Sequence, residues 1–452
     1  MDRTKLIIPL IFILVNISYC AYSQNNNKSD SVRSFTLEKC IDYALQYHPA
    51  LNQALISRTI ATINNKINLS GWLPQLNLSG NMIHYDQLPT TFIANQSVPG
   101  GAPVETHTGV INTFLPVLSL SQMIFSPQLV HSAAITRLNI RQAEQITDSV
   151  KIDIVSNVSK SFYNLLLTLE QIDILKEDTA RLGRSVLDTY HQYVGGIVDV
   201  TDYEQSVITL NNSKAQLKQQ TENIVPEYAT LKQMMGYPPE QNFNVVFDTA
   251  QMMMEIAFDT TQLFRYEKRI EYQQLQTVKE LQHQLTDYNR LSFLPTVSAM
   301  YNYYYDYQSN TFSTLFKTAY PYSYVGLSFS LPLFAGFSRT ENLRKSKLQE
   351  QQVDWDENRL RSKIYTEYTS ALASYKSNLY NLMILKDNEK RANNVYGIVS
   401  LQYMQGIVAY LNIIVAESNL ITAEIGYINA LFQLLSSKID LEKAIGVIPY
   451  NR

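Results

Sequence analysis

Side chains able to do chemistry are plentiful in this chain, but their spacing assembles no reactive site. The six histidines (His48, His84, His107, His131, His191 and His283) are scattered. None stands at a metal-ligand spacing from another histidine, a cysteine or a carboxylate. There is no Gly-x-Ser-x-Gly elbow, no pair of catalytic carboxylates and no Cys/His dyad. Pro99-Gly100-Gly101 reads as a loop turn, since it lacks the strand–turn–helix setting of a phosphate site. An enzyme, a cofactor and a resident metal are all unexpected. Glu341, Arg344, Lys345 and Lys347 fit solvated helix faces.

The bulk numbers narrow the class further. With 452 residues and a net charge of −3, the chain lacks the clustered basic charge that nucleic acid requires. Tyrosine is abundant, at 31 against 2 Trp and 17 Phe. An apolar ring with a polar tip suits membrane interfaces and wet pores better than a dry core.

The N-terminus predicts export. Asp2, Arg3 and Lys5 precede the apolar run Leu6 to Ile17, and Ala21-Tyr22-Ser23 fits a cleavage site, giving a signal peptide over 1–23. Cleavage before Cys20 with lipidation is the alternative, and Tyr19 fits it poorly. After export only Cys40 remains, so no intrachain disulfide forms. No later apolar run is long enough for a membrane-spanning helix, so any membrane crossing must use strands in a closed barrel.

Internal repetition is the strongest signal. Leu73-Pro74-Gln75-Leu76 returns as Leu294-Pro295-Thr296-Val297, and the segment Leu118 to Phe125 returns as Leu327 to Phe334. Tyr193-Val194-Gly195-Gly196-Ile197-Val198 returns as Tyr403-Met404-Gln405-Gly406-Ile407-Val408. The extra residues of the first copy fall in the Gly/Pro/Thr-rich stretch around Pro99 to His107, where a loop tolerates insertion. The repeats are placed at 35–260 and 261–446.

Within each repeat the period switches between helix and strand. From Val408 to Glu442, Leu411, Ile414, Ile421, Ile425, Ile428, Phe432, Leu435 and Ile439 form a heptad seam. A second stripe through Leu420, Tyr427, Leu434 and Leu441 implies neighbours on both sides. Gln128 to Val194 and Ser338 to Met404 each predict a helix of 67 residues, about 100 Å at ~1.5 Å per residue. Shorter helices over Leu37–Gly71 and Asp199–Met235 sum to 72 residues, close to the length of the first, and Thr261–Ser292 and Ala409–Ile445 sum to 69, close to the second. One long helix can thus lie beside two short ones stacked end to end, which makes a rod or a tube wall.

Four strands are predicted between the helices: Leu76–Tyr85, Gly109–Phe125, Val297–Tyr307 and Tyr322–Phe334. In the third, Val297, Ala299, Tyr301, Tyr303, Tyr305 and Tyr307 alternate with Ser298, Met300, Asn302, Tyr304 and Asp306. The first set can face lipid while most of the second faces water. An extracellular patch or an ordinary sheet face are the alternatives. Four strands leave two open edges in lipid, so several chains must contribute to one barrel.

Phe35-Thr36-Leu37-Glu38-Lys39-Cys40 through His48-Pro49-Ala50-Leu51, Gly71-Trp72-Leu73-Pro74-Gln75-Leu76 and the segment Val325 to Gly336 resemble the TolC-like outer-membrane efflux family. The resemblance spans Phe35 to Gly446. It implies a mainly α fold of tandem long-helix hairpins plus four membrane β-strands per chain, assembled as a homotrimer with a twelve-stranded barrel and a helical tunnel across the periplasm. It also implies cargo handed over from an inner-membrane pump through a periplasmic membrane-fusion adaptor, with outer-membrane lipid around the barrel. Cofactors and catalysis are absent from such proteins. An exported coiled-coil scaffold or adhesin without a pore is the alternative from another class, and it leaves the strands at matching repeat positions unexplained.

On this resemblance Gly195, Gly196 and Gly406 are hairpin tips facing the adaptor. The family often carries acidic residues just past the second tip, where this chain has Ala409 and Asn412. Asp199 and Asp202 occupy the matching place after the first tip. Threefold symmetry would make each a ring of three carboxylates at the periplasmic entrance. Capping of the following helix is the competing role for both.

Overall fold

A computed structural model describes residues 33–93, 102–247 and 264–450, together with Met252, Ile256 and Phe258. The signal peptide at 1–23 with Cys20, the Pro99-Gly100-Gly101 turn and the expected helix start at Thr261 lie outside the described residues.

The elements run β1 (Arg33–Phe35), α1 (Leu37–Tyr47), α2 (Pro49–Leu69), β2 (Gln75–His84), β3 (Thr90–Ile93), β4 (Val104–His107), β5 (Asn112–Phe125), α3 (Pro127–Val194) and α4 (Val200–Met235). They continue as β6 (Phe243–Val245), α5 (Ile270–Leu291), β7 (Thr296–Ser309), β8 (Ala319–Ser330), α6 (Ser338–Met404) and α7 (Tyr410–Ile445). The long helices match their expected spans almost residue for residue. Pro127 opens α3, where a missing N–H costs nothing and the fixed φ suits the first turn.

Four expectations are corrected. The helix expected from Thr261 to Ser292 starts only at Ile270, because Arg269 before it is extended (φ −75°, ψ 129°). The helix expected over Leu37–Gly71 is two helices, because His48 is extended (φ −62°, ψ 126°) ahead of Pro49. Proline disfavours the helical conformation in the residue before it. The last strand ends at Ser330 rather than Phe334, and Pro332, which lacks an N–H, lies just beyond. The insertion around Pro99–His107 is not all loop, since β3 and β4 pair as an antiparallel hairpin.

The helices form a wall of four columns. α2 and α4 lie along α3, α5 and α7 lie along α6, and α3 also packs on α5 and α7. The column order is therefore α2/α4, α3, α5/α7, α6. Burial agrees. α3 buries twenty residues and α6, one residue shorter, only four, while α7 buries fifteen and the equally long α4 five. The inner columns have two neighbours, and the outer ones keep a bare flank. The two-striped α7 has the two neighbours that its sequence required.

One antiparallel sheet, ordered β2-β5-β7-β8, continues the wall. Its order copies the column order, because α2 leads into β2, β5 into α3, α5 into β7 and β8 into α6. Pro116 sits within the inner strand β5 and supplies no ladder donor there. The pairing of β5 with β7 accordingly skips from Phe114 to Val117.

Among the described residues an apolar core lies near mid-length of the long helices. Val158, Phe162, Leu165, Leu166, Tyr375, Leu431 and Leu434 meet Phe35 and Phe243 of the small parallel pair β1–β6 there. Cys40 is fully buried in it, and burial pushes its thiol up to about 12, which leaves it inert.

The repeat is also preserved at the helix joints. Gly236 ends α4 at φ 67° and packs on the His48–Pro49 break, while Gly446 ends α7 at φ 77° and packs on Lys268 and Arg269. A Cβ on Gly446 would stand 2.6 Å from the Lys268 carbonyl oxygen. Gly446→Ala is expected to cost ~2 kcal/mol or more, from left-handed backbone strain plus overpacking. Gly196→Ala, at φ 70° with open space around it, is expected to show only the strain of ~1 kcal/mol. Thermal unfolding of the two variants checks this, and equal losses would remove the packing role of Gly446.

Candidate channel entrance and membrane face

The two hairpin tips are built alike. α3 ends with Gly196 at φ 70°, the Gly196 N–H donating to Tyr193 O (2.9 Å) and the Ile197 N–H to Gln192 O (2.8 Å). α6 ends with Gly406 at φ 71°, the Gly406 N–H donating to Tyr403 O (2.9 Å) and the Ile407 N–H to Gln402 O (2.9 Å). This is the Schellman arrangement, in which the left-handed residue is normally glycine. Gly195 has an ordinary helical φ of −73°, and Gln405 fills its place in the second tip, so Gly195 is not demanded by the turn. Val194, Ile197, Met404 and Ile407 leave both tips apolar and exposed.

Asp199 and Ala409 hold the same position, each the extended residue before its helix. Asp199 is exposed and makes no side-chain capping hydrogen bond, so the capping role is not realised at this residue. Asp202 and Asn412 lie one turn further, with N–H groups donating to Asp199 O (3.1 Å) and Ala409 O (3.0 Å). Asp202 is half-buried.

The tips lie side by side. Tyr403 Oη donates to Gln192 Oε1 at 2.7 Å, the Tyr403 and Tyr410 rings are 5.5 Å apart, and Tyr410 Oη is 3.2 Å from Ser185 Oγ. Burial is the main cause raising the Tyr403 phenol, against the hydrogen bond from Thr189, and the charge of Asp202 adds to it. Asp202 of one hairpin thus stands close to the other.

Farther from the tips the structure shows a cluster that the sequence reading missed. Arg181 on α3 bonds Glu417 on α7 (3.1 Å) and Asp178 (3.2 Å), and Asp178 accepts from Ser213 on α4 (2.7 Å). Burial raises the carboxyl of Asp178 against the pull of Ser213 and Arg181. Burial pushes Glu417 up to about 7, helped by the charge of Asp178. A signal existed in the sequence, because Asp178 falls in register with Leu175 and Leu182, and Glu417 with Ile413 and Leu420. A charge inside an apolar seam is seldom a solvated one.

At the opposite end, the register sorts the sheet into two unlike faces. Tyr301, Tyr303, Tyr305 and Tyr307 share a face with Leu118 and Leu120 of β5, Leu76, Leu78 and Met82 of β2, and Val325, Leu327 and Phe329 of β8. Successive rings of Tyr303, Tyr305 and Tyr307 lie 5.8 and 5.7 Å apart along it. Val325, Leu327 and Leu78 are at least three-quarters exposed in the single chain. The other face carries Gln75, Asn77, Ser79, Asn81, Ser119, Ser121, Ser298 and Asn302, with Tyr304 stacked on Tyr322 at 4.5 Å.

Among the described residues no group of His, Cys, Asp or Glu is placed to hold a metal, and no helix is long and apolar enough to cross a membrane. A family profile described as outer membrane efflux protein matches residues 40–237 and 273–447. The fold is similar to that of the Campylobacter jejuni CmeC outer membrane channel, at 20% identity over 92% of this chain and 87% of that one, with a TM-score of 0.72. It is also similar to the open state of the Neisseria gonorrhoeae MtrE outer membrane channel, at 17% identity over 94% of both chains with a TM-score of 0.67. The outer membrane protein VceC of Vibrio cholerae gives 16% identity over 91% of this chain and 96% of that one, with a TM-score of 0.70. No curated protein matches the chain by sequence.

Proposed function

Because the chain belongs to the outer membrane efflux protein family, and so is an outer-membrane efflux channel, we propose that three copies close into a twelve-stranded barrel continued by a helical tunnel. The carrying observation is that wall and sheet end on matching flanks. β2 and α2/α4 bound one side of the chain, and β8 and α6 bound the other. Ile56, Ile60, Ile63 and Ile67 form a bare heptad stripe on α2, and Trp355, Tyr380, Met383, Ile398 and Leu401 lie exposed on α6. Head-to-tail contact between such unlike flanks closes a ring. Strand edges inside lipid demand that closure.

On this reading residues 1–23 direct export, and 35–260 and 261–446 are the two efflux repeats. The face bearing Tyr301, Tyr303, Tyr305 and Tyr307 meets lipid. The exposed apolar tips at Gly195-Gly196 and Gly406 meet a periplasmic adaptor that delivers cargo from an inner-membrane pump. Asp202, with Asp199, supplies the entrance charge that Ala409 and Asn412 do not.

The test is conductance of the detergent-extracted protein in a planar bilayer, with oligomeric mass measured alongside. A trimer with small discrete steps is expected, and a monomer or dimer that never inserts would sink the barrel. At a separation of ~8 Å a carboxylate would act on a passing cation by ~0.5 kcal/mol in water. A ring of three then favours cations by ~1.5 kcal/mol, about tenfold, at low salt. Asp202→Asn is expected to remove most of that preference, and unchanged cation selectivity would take the charge role from Asp202.

A further inference from the structure

The two hairpins of one chain meet along the antiparallel seam of α3 with α7. Polar contacts recur down it: Asp153 with Lys443 (2.7 Å), Lys160 with Asp440, Gln171 with Asn429 (2.9 Å), Arg181 with Glu417 (3.1 Å) and Ser185 with Tyr410 (3.2 Å). The lysine–aspartate pairs at mid-molecule are partly wet. The Arg181 contact is more buried, with Glu417 3% and Asp178 1% exposed and the Arg181 side chain 19% exposed. Asp178 brings in α4 through Ser213, and Arg181 lies 5.3 Å from the Tyr396 ring of α6. Helices of both hairpins thus converge on one guanidinium.

Charge does not balance at this point. Two buried carboxylates share one guanidinium, so the trio carries −1 when both are ionised and is neutral with one proton. Glu424 of α7 lies within the field of Arg181 and Asp178 and also of Glu177 on α3 and Glu389 on α6, Tyr396 of α6 feels the whole trio and Arg184, Tyr410 of α7 feels Glu417, and α4 offers the neutral Ser213. Acids outnumber bases in this set. A groove of about 600 Å³ between α4 and α7, lined by Asn212, Gln216, Ser418 and Thr422, reaches Asp178 and Glu417 and gives protons a path.

We propose that Asp178, Arg181 and Glu417 form a proton-operated clasp between the two hairpins, shut when the trio holds a proton and released when it loses it, so that the tips part and the tunnel entrance widens. This rests on the channel reading above. In the closed seam burial holds Glu417 up to about 7, whereas a parted seam returns it to water and its ordinary 4.5. The closed form therefore binds the proton more tightly. Its proton-linked stability is complete below about pH 4.5 and is lost as pH rises through about 7. An uncompensated buried charge is the force that then parts the helices.

The experiment uses spin labels at Leu187→Cys on α3 and Leu411→Cys on α7, both exposed positions. Cys40 is buried with a raised thiol and stays unlabelled. Interspin distance and bilayer conductance are followed from about pH 5 to about pH 8.5, with and without Glu417→Gln. A longer distance and a several-fold higher conductance are expected above a midpoint near neutrality, both absent in Glu417→Gln. A parent whose distance ignores pH, or a Glu417→Gln protein with the parent's profile, overturns the clasp. Distances that shift without any conductance support the clasp and overturn the channel reading instead. If Glu417→Gln does not fold, infrared spectra of the parent decide. A protonated buried carboxyl band that fades near neutrality supports the clasp, and its absence at about pH 6 overturns it.

Discussion

Val325→Arg is expected to remove the protein from the outer-membrane fraction and abolish any SDS-resistant oligomer. Val325 is mid-strand in β8, 80% exposed, opposite Tyr301 and on the face shared by Leu327, Phe329, Leu118, Leu120 and Leu78. If that face meets lipid, an arginine near the bilayer midplane costs ~2–4 kcal/mol. Three copies in one barrel bring ~6–12 kcal/mol, comparable to the whole stability of a typical domain. Ser119→Arg is the matched control, since Ser119 sits mid-strand in β5 on the other face, between Asn77 and Asn302. It is expected to insert and change only conductance. Equal insertion of the two variants would remove the lipid assignment of the tyrosine face.

The second large effect is expected at Arg269. Its guanidinium donates Nε and Nη2 to Glu271 (2.9 and 3.0 Å), Nη2 to Glu367 (2.8 Å) and Nη1 to the Ala444 carbonyl (3.2 Å). Only 6% of its side chain is exposed. It ties the start of α5 and the middle of α6 to the end of α7, at the joint where Gly446 packs. Arg269→Met keeps the volume but strands two carboxylates and a carbonyl. Both glutamates are partly wet, so the loss is set at ~2–4 kcal/mol rather than the full cost of a buried orphan charge.

The effect should depend on pH. Burial works to raise Glu271, but the Arg269 hydrogen bonds and charge outweigh it and hold the carboxyl below its ordinary value. A depressed acid stabilises the fold above its ordinary value, and that contribution fades as pH falls through the lowered one. Arg269→Met should therefore melt well below the parent at neutral pH and approach it as the pH falls below the ordinary carboxylate range. Melting followed by helical circular dichroism reads both, and a gap that stays constant with pH would refute the charge pairing.

Much of this was legible from the chain, for physical reasons that also mark where legibility stopped. Gly196 and Gly406 ended the long helices as expected, because a left-handed turn leaves a compositional trace and a heptad seam fixes length. The His48–Pro49 break was hidden because apolar residues continue on either side of it, although proline announces the boundary. The β3–β4 hairpin was hidden by its Gly/Pro/Thr-rich surroundings. The order of columns was invisible, since it is set by which flank of α3 receives α5 and α7. Asp178 and Glu417 were passed over because charges on helices were assigned to solvent. That assignment fits Glu341, Arg344, Lys345 and Lys347, which are all exposed.

The order of the sheet has a consequence for how the chain assembles. β5 has one edge on nearby β2 and the other on β7, and the Asn112–Ser309 hydrogen bond spans 197 residues. The α3–α7 seam joins partners 236 and 290 residues apart. A chain delivered N-terminus first can close β2 on β5 and α3 on α4 early, but both then wait with one apolar flank uncovered. At a synthesis rate of ~5–20 residues per second, that wait is on the order of ten to forty seconds. A hairpin forms in microseconds, so the half-built chain is a long-lived species with an open strand edge. Its yield should depend on whatever shields that edge in the periplasm more than on the stability of the finished channel.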